Sequence, residues 1–327
     1  MLRVGVIGAG AMGQNHARVY SEIAKLAGIC DISKESAAAV GKRFGVPHFT
    51  DARELLKQDL DAVTIATPTF THHGLALDAI SAGKHVLLEK PMCATLAQAR
   101  EVIGNAEKAG LVLAVGHIER HNPVVQFLKS AASAKQLGDV ISMSARRVSP
   151  NAPRIADVGV VMDLASHDLD VMRHLAASEV ASVYALGGKT GKTKHEDHAN
   201  IMLHFKNGIT GFIEVNWLTP MKMRRLSLTC SKGVVEADYM NQTVQVSTSL
   251  PMEVDNSNLF QVPHEYDIRQ ISLKKQEPLK NELRDFLDSI LEKRAPLVTG
   301  EDGLRALELA QAALASMEQG KTVELGK

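Results

Sequence analysis

The chain has 327 residues, 45% of them hydrophobic, and its 37 Lys+Arg against 37 Asp+Glu leave a formal net charge of zero. That length accommodates two domains, each with its own core, and the balanced charge gives no general pull toward nucleic acid or an anionic membrane; neither is expected as a partner. Cys30, Cys93 and Cys230 stand far apart with no CxxC pair, which argues against a disulfide framework or thiolate zinc site and fits a reducing cytoplasm.

In chain order, an apolar run from Leu2 to Ile7 ends in Gly8-Ala9-Gly10-Ala11-Met12-Gly13, and a helical segment follows from Gln14 to Ile23. A strand, a G-x-G-x-x-G turn and a helix in this order are what a dinucleotide-phosphate turn requires. Gly8 permits the tight turn, Gly10 lets backbone approach a pyrophosphate, and Gly13 lets helix and strand pack closely. The N–H groups at the helix start, around Ala11 and Met12, together with the positive end of the helix dipole, then hold the phosphate. The next apolar stretch, Leu26 to Cys30, ends in Asp31, placed for a carboxylate that binds the adenosine ribose hydroxyls. An acid there favours NAD over NADP, although Ser33 and Lys34 could tolerate a phosphate. The first strand leaves no room for a signal peptide, and no apolar run approaches the ~20 residues of a membrane span, so a cytoplasmic protein is expected.

Strand-like runs continue at Ala62–Ala66, His85–Leu88 and Leu111–Val115, separated by helical patterns at Ser33–Phe44, His72–Ala82 and Thr95–Ala109. Alternation of this kind predicts an α/β fold, a doubly wound parallel sheet covered on both faces. Ligands of such sheets bind beyond the carboxyl ends of the strands. On that rim lie Ala66-Thr67-Pro68, with His72 opening the next helix, and the run Leu88-Glu89-Lys90-Pro91. Thr67, Pro68, His72, Glu89 and Lys90 are therefore cofactor-binding candidates, and Pro91 biases Lys90 toward an extended backbone.

After residue 120 the pattern changes, so the expected division is 1–120 for a cofactor domain and 121–327 for a second domain. A helix at Pro123–Leu137, a strand at Val140–Arg147 and a Pro-containing loop at Ser149–Ile155 precede a helix around Val160–Ala176. Asp163 and His167, four apart, share a face of that helix, with Asp170 and His174 continuing the stripe. A carboxylate beside an imidazole can orient a general base; a solvated amphipathic face is the plain alternative. A metal site there lacks a convincing third ligand, because His195-Glu196-Asp197-His198 falls in a loop, and no metal is expected. Ala199–Phe205 and Ile209–Val215 form a hairpin about Asn207-Gly208, and Leu226–Cys230 with Val234–Ala237 form another. Helices at Leu279–Lys293 and Gly303–Gln319 close an α+β domain with an open-faced, mostly antiparallel sheet, from which a homodimer or homotetramer is expected.

The glycine triad, Glu89-Lys90-Pro91, Asn122-Pro123, the Asp163–His167 pair and the closing Ala306-Leu307-Glu308 and Lys321-Thr322-Val323, in that order, resemble the Gfo/Idh/MocA oxidoreductases over nearly the whole chain. The resemblance implies an NAD-dependent sugar or cyclitol dehydrogenase. It implies that Lys90 hydrogen-bonds the reacting oxygen, that His167 is the acid/base and that Asp163 is a carboxylate positioning the substrate or the histidine, all three meeting over the nicotinamide. Where many members carry Gly-Gly-Gly, this chain has Asp157-Val158-Gly159. The text around Gly116–Arg120, Arg146–Val160 and Glu214–Pro220 resembles members that oxidise the 3-hydroxyl of UDP-N-acetylglucosamine. A nucleotide sugar carries a diphosphate that arginine forks suit, making Arg146, Arg147 and Arg154 candidates, with Arg147 and Arg154 joining Asp163 and His167 as the expected substrate-binding set. An inositol or monosaccharide dehydrogenase is the alternative within the family. A non-catalytic NAD-binding regulator is the alternative outside it, against which Lys90, Asp163 and His167 together argue.

Overall fold

The computed structural model describes residues 1–150, 158–191, 193–249 and 266–326. Its elements in chain order begin β1 (Arg3–Ile7), α1 (Ala11–Ile23), β2 (Lys25–Cys30), α2 (Lys34–Phe44), β3 (His48–Phe49), α3 (Ala52–Leu56), β4 (Ala62–Ile65), α4 (Thr69–Ser81), β5 (His85–Leu88), α5 (Leu96–Ala109) and β6 (Leu113–Val115). They continue with α6 (Pro123–Ser133), β7 (Val140–Pro150), α7 (Ser166–Ala176), β8 (Val180–Gly188), β9 (His198–Phe205), β10 (Thr210–Asn216), β11 (Leu218–Cys230), β12 (Gly233–Asp238), β13 (Thr243–Ser249) and β14 (Tyr266–Ser272). The chain closes through α8 (Pro278–Glu292), α9 (Gly300–Gln319) and β15 (Val323–Glu324). Among the described residues no helix is long and apolar enough to cross a membrane.

The chain forms two compact units: Met1–His121 with Gln276–Glu308, and Asn122–Lys275 with Leu309–Lys327. The first crossing lies one residue from the expected boundary. The segment 276–308 departs from the expected division, because α8 carries a stripe that packs with the first unit. Leu279, Leu283, Phe286 and Leu287 share a core with Val4, Val6, Ala17, Val19, Tyr20 and Ile29.

In the first unit six strands run in the order β3-β2-β1-β4-β5-β6, each pairing parallel. The order reverses between β1 and β4, and this switch point opens the ligand crevice of doubly wound folds. Strands β1, β4 and β5 are buried on both faces, as near-continuous apolar runs require when helices cover both sides of a sheet. Helix α1 buries Gly13, His16, Ala17 and Tyr20 at helical spacing. The two-residue strand β3 was not legible as a strand; it is too short to carry a period.

In the second unit a nine-stranded sheet runs β14-β13-β12-β11-β7-β10-β9-β8-β15, antiparallel except for the β7–β10 pair. The expected hairpins are β9–β10, with Gly208 at φ +86°, and β11–β12, where Cys230 faces Gly233. Helix α6 stops at Ser133, short of the expected end, and Lys135 and Gly138 then take positive φ. The expected helix at Val160–Ala176 is two pieces: a π-turn at Val161–Ala165 and then α7.

Candidate active site

The cofactor rim is built from the ends of β1, β4 and β5. Gly8 has φ +103°, and a Cβ there would collide with the carbonyl of Ala66, the residue leaving β4. A Cβ on Gly13 would collide with the Gly8 carbonyl oxygen, so the turn and α1 touch backbone to backbone. Around Gly10, by contrast, nothing lies within 4 Å of a Cβ position. Gly10 is the N-cap of α1 and offers no side-chain cap, leaving the amides at Ala11, Met12 and Gly13 to a ligand. Gly10, Ala11 and Met12 are exposed. This is a cradle shaped for a pyrophosphate: tight where the protein packs on itself, open where phosphate oxygens approach.

Asp31 stands at the end of β2, half-buried. Its Oδ2 accepts from the Ala9 amide at 2.7 Å and its Oδ1 from the Ser33 amide at 2.9 Å. The carboxylate is thus anchored to the glycine turn, with lone pairs left for ribose hydroxyls. NAD fits these residues: turn, helix start and ribose acid stand together on one rim.

Thr67 and Pro68 lead from β4 into α4, with Pro68 at its N-cap. His72 is buried, and its ring nitrogens face two carbonyl oxygens: Nε2 to Thr67 at 2.8 Å and Nδ1 to Pro91 at 3.0 Å. Burial lowers its affinity for a proton, partly offset by those carbonyls. The ring ties the end of β4 to the loop after Lys90 and so braces the rim. Glu89 is also buried: Oε1 lies 2.9 Å from His16 Nε2, and Oε2 accepts from the Lys90 amide at 3.2 Å. Burial alone would raise the Glu89 carboxyl, but the His16 hydrogen bond and charge, and then Lys90, outweigh it and hold the group below its usual range. Glu89, expected on the cofactor rim, is held there from inside by His16 and the Lys90 amide. Lys90 is half-buried.

In the second unit Asp163 lies within the π-turn and His167 in the first turn of α7, both half-buried, flanked by buried Leu164, Ala165 and Asp168. Such wide turns inside helices recur at functional sites. The turn begins against Glu196, whose carbonyl accepts from Val160 N–H at 3.1 Å and whose carboxylate accepts from Val161 N–H at 3.0 Å. A Cβ on Gly159 would collide with that carboxylate. Glu196, weighed above as part of a metal set, is instead an anion at the start of the turn.

The arginine expectation needs correcting. Arg147 is buried and forked onto Asp168, Nε to Oδ2 at 2.7 Å and Nη2 to Oδ1 at 3.0 Å. β7 alternates in and out, and Arg147 falls on the inner parity; its guanidinium is committed to a buried pair and not to a diphosphate. Arg146, on the outer parity, pairs with Glu214 at 2.9 Å. Arg154 lies outside the described residues.

A Rossmann unit with a phosphate turn, a ribose acid and a rim lysine, on the same chain as a helix-borne Asp–His pair, defines an NAD-dependent dehydrogenase. Residues 2–117 match the family model described as oxidoreductase family, NAD-binding Rossmann fold, and residues 132–325 match its C-terminal alpha/beta domain. The chain belongs to the Gfo/Idh/MocA oxidoreductases, and its class is that of the sugar and polyol dehydrogenases using NAD. It is 33% identical over 311 residues to UDP-N-acetylglucosamine 3-dehydrogenase of Acidithiobacillus ferrooxidans, covering 94% of this chain and 95% of that one. A solved structure of that enzyme superposes with a TM-score of 0.88 over 97% of this chain and 98% of that one, at 32% identity. Myo-inositol 2-dehydrogenase of Thermotoga maritima is 29% identical, covering 99% and 98%.

Two residues that matter to the rim were not singled out from sequence: His16 and Glu282. Each is a polar side chain on a buried helical stripe, and that mismatch is the signal that could have found them.

Proposed function

We propose that the protein oxidises the 3-hydroxyl of a UDP-linked N-acetylhexosamine with NAD. The observation that carries this reading is the full-length 33% identity to an enzyme named for that reaction. The bound NAD supplies the hydride acceptor. On the protein side, Lys90 donates a hydrogen bond to the reacting oxygen and stabilises the charge developing there. His167, as the neutral imidazole, takes the hydroxyl proton, and Asp163 orients the ring. Proton transfer of this kind is worth ~10²–10⁴ in rate, and a fixed cation on the oxygen adds electrostatic stabilisation.

A free inositol or monosaccharide is the second reading. One observation favours it: Arg146 and Arg147, the described arginines weighed for a diphosphate, are paired with Glu214 and Asp168. Incubation with NAD and a panel of UDP-sugars, sugar phosphates and inositols, read by NADH absorbance, separates the two. Turnover of UDP-N-acetylglucosamine above all other compounds supports the first reading, and preference for an inositol overturns it. Tight NAD binding with no NADH from any compound would support a regulator.

Assembly as a homodimer or homotetramer through the open face of the second sheet is part of this proposal, supported by exposed Met202 and Phe212, paired on neighbouring strands. So is a reducing cytoplasmic setting, which accords with three free thiols.

A further inference from the structure

Glu89 belongs to a buried arrangement that the hydride chemistry does not use. One nitrogen or oxygen atom from each of His16, Glu89 and Glu282 lies within 4.8 Å of the other two. All three residues are in the first unit, on α1, at the end of β5 and on α8. Glu282 is 3% exposed, and neither of its carboxylate oxygens has a hydrogen-bond partner. It occupies a stripe of α8 whose other buried members include Leu279, Leu283, Phe286 and Leu287. An acid has been placed where the pattern asks for an apolar residue.

We propose that Glu282 is a positioning residue: it stands in this triad as a neutral carboxylic acid, leaving Glu89 as the anion that joins His16 of α1 to the backbone of Lys90. The triad thereby couples the helix that carries the phosphate turn to the lysine that faces the reacting oxygen. This rests on NAD-dependent dehydrogenation and not on which sugar is oxidised.

The argument is one of charge and partners. Two carboxylates this close, both out of water, oppose each other's ionisation, and the His16 ring that could offset one of them is hydrogen-bonded to Glu89. Glu89 has donors, the His16 ring and the Lys90 amide; Glu282 has none, so the proton resides on Glu282. The charged and titratable groups on the elements packed against α8 are engaged elsewhere, the arginines and Lys280 by other acids. On α1 these include His16 and Tyr20, whose hydroxyl meets Thr64 at 2.8 Å. The 3₁₀ turn Ile118–His121 brings Glu119, His121 and Arg120, the last paired with Asp302 at 3.0 Å. On α8 itself Asp285 binds Arg294 at 2.8 Å. Arg18 and Lys280 lie in the exposed ion pairs with Glu277 and Glu22. Burial first, then Glu89, Asp285 and Glu119, push the Glu282 carboxyl well above its ordinary range. Ionised Glu282 would repel Glu89 and loosen the link between α1 and Lys90.

Because the folded value is raised, this group stabilises the protein fully below its unfolded value, and that contribution is lost as pH rises toward and through the folded value. The experiment compares wild type with Glu282→Gln, which keeps the shape and a neutral donor, and Glu282→Met, which fills the stripe. Thermal melts from pH 5 to 9 should show the gap in favour of Gln widening as pH rises, by up to about tenfold in the unfolding constant per pH unit within the window. Infrared spectra of wild type at neutral pH should contain a protonated-carboxyl band that both variants lack. The alkaline limb of kcat should move to higher pH in Glu282→Gln, with KM for NAD unmoved. A pH-independent stability gap, or no carboxyl band, overturns the proposal. So does one equivalent of divalent metal in wild type that is lost in Glu282→Gln, since the triad would then be a metal site. A shifted melt with an unmoved kcat limb reduces Glu282 to a structural acid and overturns the positioning role. Melts and infrared need no sugar, so failure of the substrate reading remains a separate result.

Discussion

Arg147 and Asp168 meet in a two-pronged ion pair with both side chains almost wholly out of water, and the Arg147 guanidinium carbon also lies 5.2 Å from the ring centre of Tyr239. β7 and α7 are thus tied inside the second unit directly beside His167. Removing one partner strands a buried charge, which costs about 3–5 kcal/mol. Arg147→Ala and Asp168→Ala should each lower the melting temperature sharply, and the double variant should lose less than the sum of the two. A selective rise in KM for a diphosphate substrate, with stability intact, would return Arg147 to the substrate.

The two outer glycines of the phosphate turn and the middle one should fail differently. Gly13→Ala forces a Cβ into the Gly8 carbonyl and should unfold the first unit or lower its melting temperature markedly. Gly10 has φ −69° and open space around it, so Gly10→Ala should fold normally. Its methyl would sit where the pyrophosphate approaches and raise the Kd for NAD by about tenfold or more, about 1.4 kcal/mol. Calorimetric NAD titration alongside a melt distinguishes the two.

Asp31 holds the amides of Ala9 and Ser33, and it is the acid proposed to bind the ribose hydroxyls. Asp31→Ser should reduce kcat/KM with NAD while relieving repulsion of a 2′-phosphate, moving the NADP/NAD ratio of kcat/KM upward. An unchanged ratio would remove Asp31 from cofactor selection.

His167→Ala should lower kcat by about 10²–10⁴ while leaving NAD affinity in place. Stopped-flow NADH formation and NAD titration measure the two separately, and normal turnover would exclude the histidine from proton transfer.

The parallel sheet was legible because β1, β4 and β5 are apolar runs ended by glycine or proline, and the phosphate turn because its glycines answer local steric demands. Less of the second unit could be read. No tight hairpin signal such as Asn-Gly joins β8, β13 or β14 to the strand each pairs with, and β11 starts eight residues before its alternation becomes regular. The π-turn at Val161–Ala165 has the same periodic text as an α-helix; it follows from Glu196, thirty-odd residues downstream, seizing the first amides. Arg147 was misjudged for a related reason: an arginine at a strand end reads as surface until the parity of β7 and the partner on α7 are known. Glu282 was overlooked because an apolar stripe with one acid still reads as amphipathic.

Helix α8 also bears on how this protein can be cut. A fragment ending at residue 121 would contain every nucleotide-contacting candidate, yet its sheet would be stripped of Leu279, Leu283 and Phe286 and left with a sticky, uncovered flank. Because α9 runs unbroken from Gly300 to Gln319 across the 308/309 division, there is no loop at which to sever the returning segment. Chimeras that swap specificity between relatives should therefore exchange residues 122–275 as an internal cassette and leave both chain ends to the recipient.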